Sequence, residues 1–566
     1  MRDLRKLKEV NKVKDYFSSK KLLLVVWASE NDYYAPMQAW HDPFSKYFSN
    51  IIRFDTQKSL IQNGQKETNK LFIDLLKKEQ PDYLFIYLVS DPFYMDTLIN
   101  IKKICPKIKI ISLFGDDDHH FEKYSIFCSS FIDYILGVQT SAFPKYKKYG
   151  IDNVFFTSTI NPEINKPLEV EKKYDVVFIG TPRKKGGRYE YIKYLTDKGV
   201  KIKLFGYGWG DYPEFKDIYL GPLHNKDIIR VINESKINLC FSKNIFGTPH
   251  IKGRVFEVAA CNSFQLVENS PPLKGLFKEG KEMIFFDNNE DLLRKIDYYL
   301  KNEKEGKKIA SAAYKKIINK YNLNSELGIL MAKIRRDEMN NHKSKFPPKL
   351  NKKIVEISKE DFNNPIDMLN NKIKDADYIC FRHGNFLKAG YKNYIQAYFL
   401  EKLGKPICCC GYYAHSRGIG NYLLFYPDIA YDSLGKERFA KFVSLNQLMV
   451  TKDYFLENIK RFENFFNGRR IDIITKENTS FASIPLVRIL GVKIDSYEDM
   501  LKAFKIIFIR DIRQRVYQRR LSYSPYIYRF IIESLFLGKF YLLKYLVKES
   551  FSKDKIYALK RTLAKK

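Results

Sequence analysis

The sequence predicts an α/β protein built from two Rossmann-like units in succession, followed by a smaller α/β module. Three observations carry that expectation. Apolar runs one strand long alternate with helix-length amphipathic stretches over 20–340, the sequence form of a parallel sheet with crossover helices. A Pro- and charge-bearing stretch at 160–172, INPEINKPLEVEK, interrupts the alternation, which then begins again. The 566 residues also exceed what one hydrophobic core organises. The expected boundaries are a basic leader 1–20, a first unit 21–160, a second unit 161–340, a linker 341–351, an accessory module 352–500 and a basic helical tail 501–566.

In the first unit the strands read LLLVVWA (22–28), IIRF (51–54), DYLFIYLV (82–89), KIKIISLF (107–114), IDYILGV (132–138) and NVFF (153–156). Chemistry in such sheets sits at the C-terminal strand ends. Two loops there stand out: 29–42, which ends Trp40-His41-Asp42, and Gly115-Asp116-Asp117-Asp118-His119-His120. Carboxylates and imidazoles on one strand-end loop supply a general base, a group for acceptor hydroxyls, or metal ligands. The alternative is a helix start, where Asp is favoured at the cap and first turn. On the catalytic reading Asp117 is the base, with Asp118, His119 and His41 behind it.

The second unit opens with YDVVFI (174–179), followed by GTPRKKGGR (180–188). That spacing fails both the dinucleotide and the P-loop patterns, but a glycine-punctuated basic turn at a strand end can cradle a diphosphate. Further on, KGRVFEVAACNSFQLVE (252–268) reads as a helix aimed at an anion. Lys252 and Arg254 add charge to the positive N-terminal end, and Glu257 on the first turn can accept hydrogen bonds from sugar hydroxyls. The small run Val258-Ala259-Ala260-Cys261 lets the helix lie close against a strand. An ordinary helix–strand pair with solvated cations is the alternative.

Over roughly 20–340 these segments resemble the CgeB-like (spore-maturation-type) glycosyltransferases of GT-B fold, in which two Rossmann-like domains face a cleft. The likeness rests on the 252–268 segment, Pro271-Pro272-Leu273 and LFKEGKE (276–282), which match a basic residue, R-x-F-E, a small helix, a Pro loop and LF-x-x-G-x-E. In the first unit it rests on the Asp pair, FIDY (131–134) and YKKYG (146–150). The resemblance implies a nucleotide-sugar donor. Glu257 would bind its ribose, Gly180, Arg183 and Arg188 its phosphates together with Lys252 and Arg254, and Leu223 would lie near the nucleobase. Many GT-B enzymes carry a second glutamate eight residues before the first; here that position is Pro249, which leaves the sugar and the stereochemical course open.

The later module, with ADYICFRHGNFL (376–387) and YIQAYFLEKLGKPICCCGYY (394–413), weakly resembles the back half of GT-A transferases. Their metal-binding acidic pair is replaced by Arg382-His383-Gly384-Asn385, which implies a degenerate, noncatalytic helper. The tail 501–566 carries 17 Lys/Arg against 4 Asp/Glu, interleaved with Phe, Leu, Ile and Tyr. That composition suits a basic amphipathic helix on an anionic membrane surface, or a bundle packed on the preceding module.

Composition narrows the function classes. A formal net charge of +33 calls for anionic partners, and diphosphates or a membrane face suit it better than nucleic acid, for which no recognition motif is found. The eight Cys lack disulfide-framework or zinc spacing, and adjacent Cys408, Cys409 and Cys410 would point to opposite strand faces. No secretory signal or membrane-length apolar run is visible, so a cytoplasmic protein, peripheral at most on the inner membrane face, is expected. The expectation is a glycosyltransferase, without metal or other cofactor, moving sugar from a nucleotide-diphosphate donor to a bacterial surface glycan, glycoprotein or lipid-linked saccharide. The alternative is a noncatalytic scaffold of a membrane-associated glycan assembly complex.

Overall fold

The computed structural model describes residues 11–26, 36–87, 95–121, 128–183, 187–223, 225–244, 247–340, 352–382, 386–388, 404–416, 420–425, 448–467 and 479–490, with a few single residues between them. The tail 501–566 and the linker 341–351 lie outside the described residues.

The first sheet is parallel throughout, with strands β1 (Lys21–Val26), β2 (Asn50–Asp55), β3 (Tyr83–Ile86), β4 (Lys109–Phe114), β5 (Tyr134–Gly137) and β6 (Val154–Phe156) in the order β2-β1-β3-β4-β5-β6. The inner strands are buried on both faces, which explains their near-continuous apolar runs. Helices α1 (Pro36–Ser45), α2 (Thr56–Glu79) and α3 (Met95–Ile104) connect strands, and a short turn, α4 (Asp117–His120), follows β4.

The second sheet is also parallel: β7 (Tyr174–Ile179), β8 (Ile202–Phe205), β9 (Ser235–Cys240), β10 (Gln265–Glu268) and β11 (Ile284–Phe286), in the order β11-β10-β9-β7-β8. The order of strand addition reverses between β7 and β9, the switch point at which such sheets open a crevice for ligands. Helix α5 (Arg188–Asp197) follows β7, and α6 (Gly253–Ala260) precedes β10. The expected small residues of α6, Ala259 and Ala260, are buried in the core with Val255 and Phe256.

The two units share one continuous apolar cluster. Phe156 from β6 meets Phe256 of α6 at 6.0 Å and Tyr321 at 5.5 Å. Helix α7 (Leu323–Met339) returns to the first unit, where Tyr16 and Tyr83 donate to Glu338 and Tyr134 donates to Asp337 at 3.1 Å. At the crossing, buried Glu326 accepts from Thr157 Oγ1 at 2.8 Å and from the Ser158 N–H at 2.9 Å.

The third sheet is mixed, built from β12 (Ile354–Ser358), β13 (Tyr378–Arg382), β14 (Phe386–Lys388), β15 (Ile407–Ser416), β16 (Gly420–Phe425), β17 (Leu448–Thr451) and β18 (Thr479–Leu490). One face, with Tyr378, Cys380, Cys408 and Met449, joins the core of the first unit beside Phe72 and Leu76 of α2 and Ile101 of α3. The other, with Phe381, Cys409 and Val450, is covered by Phe455, Phe462 and Phe466. Cys408 and Cys409 thus face opposite ways, and the cysteines whose side chains are described are free thiols.

Candidate active-site cleft

The loops at the C-terminal ends of the two parallel sheets converge. From the second unit, β7 leads through Gly180 to Arg183 and, after residues outside the described set, to Gly187 at φ +77° and the buried Arg188. The Arg188 guanidinium lies over the Phe178 ring, 5.9 Å from its centroid. Burial, then the like charge of Arg183, lowers Arg188 to about 10, with Glu268 opposing.

Lys252 occupies the N-cap of α6 in extended geometry, with no side-chain cap. Burial lowers its ammonium to about 7; the charges of Arg188 and Arg183 add to that effect, and those of Asp116 and Asp118 oppose it. Lys252 therefore sits between a pair of cations on its own unit and a pair of carboxylates on the other. Three cations brought together at a helix N-terminus destabilise one another unless an anion joins them.

Next to them, Glu257 is paired with Arg254 one turn away, both half-buried. The two share the face of α6 that carries Gly253, whose added Cβ would come 3.8 Å from Glu257 Oε1. Behind the switch point, buried Glu268 accepts from the Ser242 N–H at 3.0 Å and lies 2.6 Å from Lys243 Nζ.

Gly180 and Asp117, expected at the phosphates and as the base, make the following contacts. The Gly180 N–H extends the ladder to Phe205 O at 2.8 Å, so it does not point at a phosphate. A Cβ on Gly180 would come 2.6 Å from the Phe178 ring, and one on Gly206, at φ +120°, would lie 2.4 Å from Gly180 O. Asp117 is turned into the first unit, 1% exposed, accepting from Tyr146 OH at 2.7 Å and from Ser125 Oγ. Burial pushes it up to about 7 against those hydrogen bonds. Both donors to this carboxyl come from within the first unit.

Asp118 is the member of the pair that faces the second unit. Its Oδ2 accepts from Asn244 Nδ2 and from His250 Nδ1, both at 2.8 Å. His250, 5% exposed, places Nε2 3.4 Å from Asp116 Oδ1. Beside it, Gln139 donates to Gly115 O at 2.9 Å and to Ile251 O at 3.0 Å, and accepts from the Ile251 N–H at 2.9 Å. His41, expected behind this loop, instead lies beside Arg53 of β2 at 2.7 Å and Asp42 at 3.3 Å. The side chain of His119 lies outside the described residues. Leu223 packs on Val177, Phe205 and Val231 beyond β8.

Sequence reasoning missed His250, Asn244 and Gln139. The only local signal was a histidine two residues before Lys252; its partners lie more than a hundred residues away. No group of three or more potential metal ligands occurs among the described residues. No helix among them is long and apolar enough to cross a membrane.

Two parallel Rossmann-like units joined by a returning terminal helix, with strand-end loops that meet at Asp118 and His250, form a GT-B-type architecture. Residues 188–332 match the family model described as Glycosyl transferase-like. The spore protein CgeB of Bacillus subtilis (strain 168) is 22% identical over 296 residues, covering 49% of this chain and 82% of its own length. Among solved structures, Anabaena Alr3699/HepE in complex with UDP-glucose aligns with a TM-score of 0.42 at 10% identity, over 57% of this chain and 100% of that one. Sucrose-phosphate synthase from Thermosynechococcus elongatus aligns at 0.41 and 9% identity, over the same shares. Residues 188–332 thus carry a glycosyltransferase-like domain, the front of the chain is similar to the spore protein CgeB, and the family match ends before the third sheet begins.

Proposed function

We propose that the enzyme takes a nucleotide-diphosphate sugar as donor, with the diphosphate seated among Lys252, Arg188 and Arg183. The observation that carries this is the Lys252 ammonium, held among like charges at an uncapped helix N-terminus and facing the other unit. Charge that develops on the leaving diphosphate is met by these fixed cations, which are worth more in a dry cleft than in water. No step is assigned to a metal. Glu257 is positioned to accept from ribose hydroxyls, with Arg254 fixing its carboxylate.

The acceptor hydroxyl enters from the first unit, where Asp116 is exposed at the cleft. The acceptor class is a bacterial surface glycan, glycoprotein or lipid-linked saccharide, and the tail 501–566 is the proposed contact with the inner membrane face. A noncatalytic nucleotide-binding scaffold is the second reading, favoured by Pro249 standing where many GT-B enzymes carry a glutamate.

A melting panel with UDP, GDP, TDP and CMP and their common sugars tests the donor. A nucleotide at 100 times its Kd adds about 2.7 kcal/mol, a shift of roughly a few degrees. One nucleotide that stabilises the wild type and not Arg188→Met supports the reading, and no shift with any of them sinks it. Donor turnover separates the enzyme from the scaffold.

A further inference from the structure

After β9, residues 242–244 pair antiparallel with 248–250 as the two arms of a hairpin. The His250 N–H donates to Ser242 O at 2.7 Å, Asn244 N–H to Thr248 O at 2.9 Å, and Lys243 bridges Pro249. Its base stands on the switch point through Ser242 and Glu268, and its far strand runs directly into Lys252 and α6. Two of the hairpin's polar side chains, Asn244 and His250, end on one oxygen of one residue of the other unit, Asp118. At the next residue, Ile251, both the N–H and the C=O are held by Gln139, also from the first unit.

We propose that Asp118 and His250 are positioning residues. They dock the 242–250 hairpin on the first unit and thereby set where Lys252 meets the donor diphosphate. The proposal rests on the donor reading above. Its physical basis is chain connectivity: only Ile251 separates His250 from Lys252, so a shift of the hairpin moves the ammonium with it. Asp118 is also 7% exposed, and its Oδ2 is shared by the two hairpin donors.

Charge and position make opposite predictions for Asp118. As a bare negative charge near an anion site, it weakens anion binding, and removing it would tighten binding. As a positioning group, removing it loosens the hairpin and weakens binding. The probe is inorganic pyrophosphate, the chemistry shared by all nucleotide diphosphates, titrated calorimetrically into the full chain.

The proposal expects Asp118→Ala and His250→Ala each to raise Kd about tenfold, and the double variant to be little worse than either, as residues acting through one another do. Asp118→Asn, which keeps an acceptor oxygen for both donors, should restore most of the affinity. In a Lys252→Met background, Asp118→Ala should change Kd by less than about twofold. Binding by Asp118→Ala as tight as wild type or tighter overturns the proposal, as do additive losses or the same tenfold loss without Lys252. If Lys252→Met alone leaves Kd unchanged, the donor reading itself fails. Because Asp118 and His250 belong to different units, misfolding of one variant still leaves the other to decide.

Discussion

Replacing Lys252 by Met separates a phosphate-binding lysine from a merely buried one, because the consequences have opposite signs in the free and bound protein. In the free protein its ammonium sits at about 7, well below the roughly 10.4 of an exposed lysine. The folded state thus binds fewer protons than the unfolded chain between those values. The lysine opposes folding most fully below about pH 7, and that cost fades as pH rises toward the unfolded value. Lys252 is only half-buried, so the cost is discounted to about 1–2 kcal/mol at pH 6. The Lys252→Met chain, which keeps the apolar stem, should melt a few degrees higher than wild type at pH 6 without nucleotide.

With nucleotide diphosphate the sign reverses. A charge-assisted contact to phosphate contributes about 1.5–3 kcal/mol, so Kd should rise roughly 10- to 150-fold. Wild-type affinity should also fall, relative to the variant, as pH rises above 7, because the neutral amine must take up a proton on binding. Calorimetry at pH 6 and 8.5, with melts of both chains, reads all three effects. A variant that melts lower at pH 6 and binds nucleotide as wild type does would refute the reasoning.

Glu257→Ala should move the unliganded melting point little, since a half-exposed pair with Arg254 contributes under about 1 kcal/mol. It should weaken nucleoside diphosphate about tenfold and leave inorganic pyrophosphate unchanged; equal loss for both ligands would remove the ribose from this residue. Glu326 is raised to about 7 by burial, so its contribution to stability is fully present below about pH 4.5 and is lost as pH rises through 7. Glu326→Gln should flatten the fall in melting temperature between pH 5.5 and 8.5, and an unchanged slope would contradict that. Gly206→Ala, which combines φ +120° with a 2.4 Å approach to Gly180 O, should cost roughly 3 kcal/mol or more in a denaturant melt. A neutral result would mean that β7 and β8 do not approach so closely at their ends.

Much of the fold was legible because its signals are local. Runs such as LLLVV in β1 and YLFI in β3 are apolar at every position because both faces of a central parallel strand are covered. Part of the α6 segment was readable for a similar reason: Arg254 and Glu257 lie three residues apart on one helix, so their shared face follows from helical spacing alone. The opposite faces of Cys408 and Cys409 followed likewise from the two-residue repeat of a strand.

Tertiary structure alone decided what each strand-end group meets. Asp117 and Asp118 are neighbours of the same type, and sequence could not rank them. The turn after β4 aims the first at Tyr146 and Ser125 and the second at His250, 132 positions along the chain. Gly180 looked like a phosphate-binding glycine, but its N–H belongs to the ladder and its missing Cβ makes room for the Phe178 ring. His250 gained its role only when the second unit's hairpin reached the first. The composition and periodicity of this chain determined its layers and its cationic helix end, because helices and strands repeat over a few residues. The partners across the cleft were set by how two separately formed sheets turn their loops toward each other.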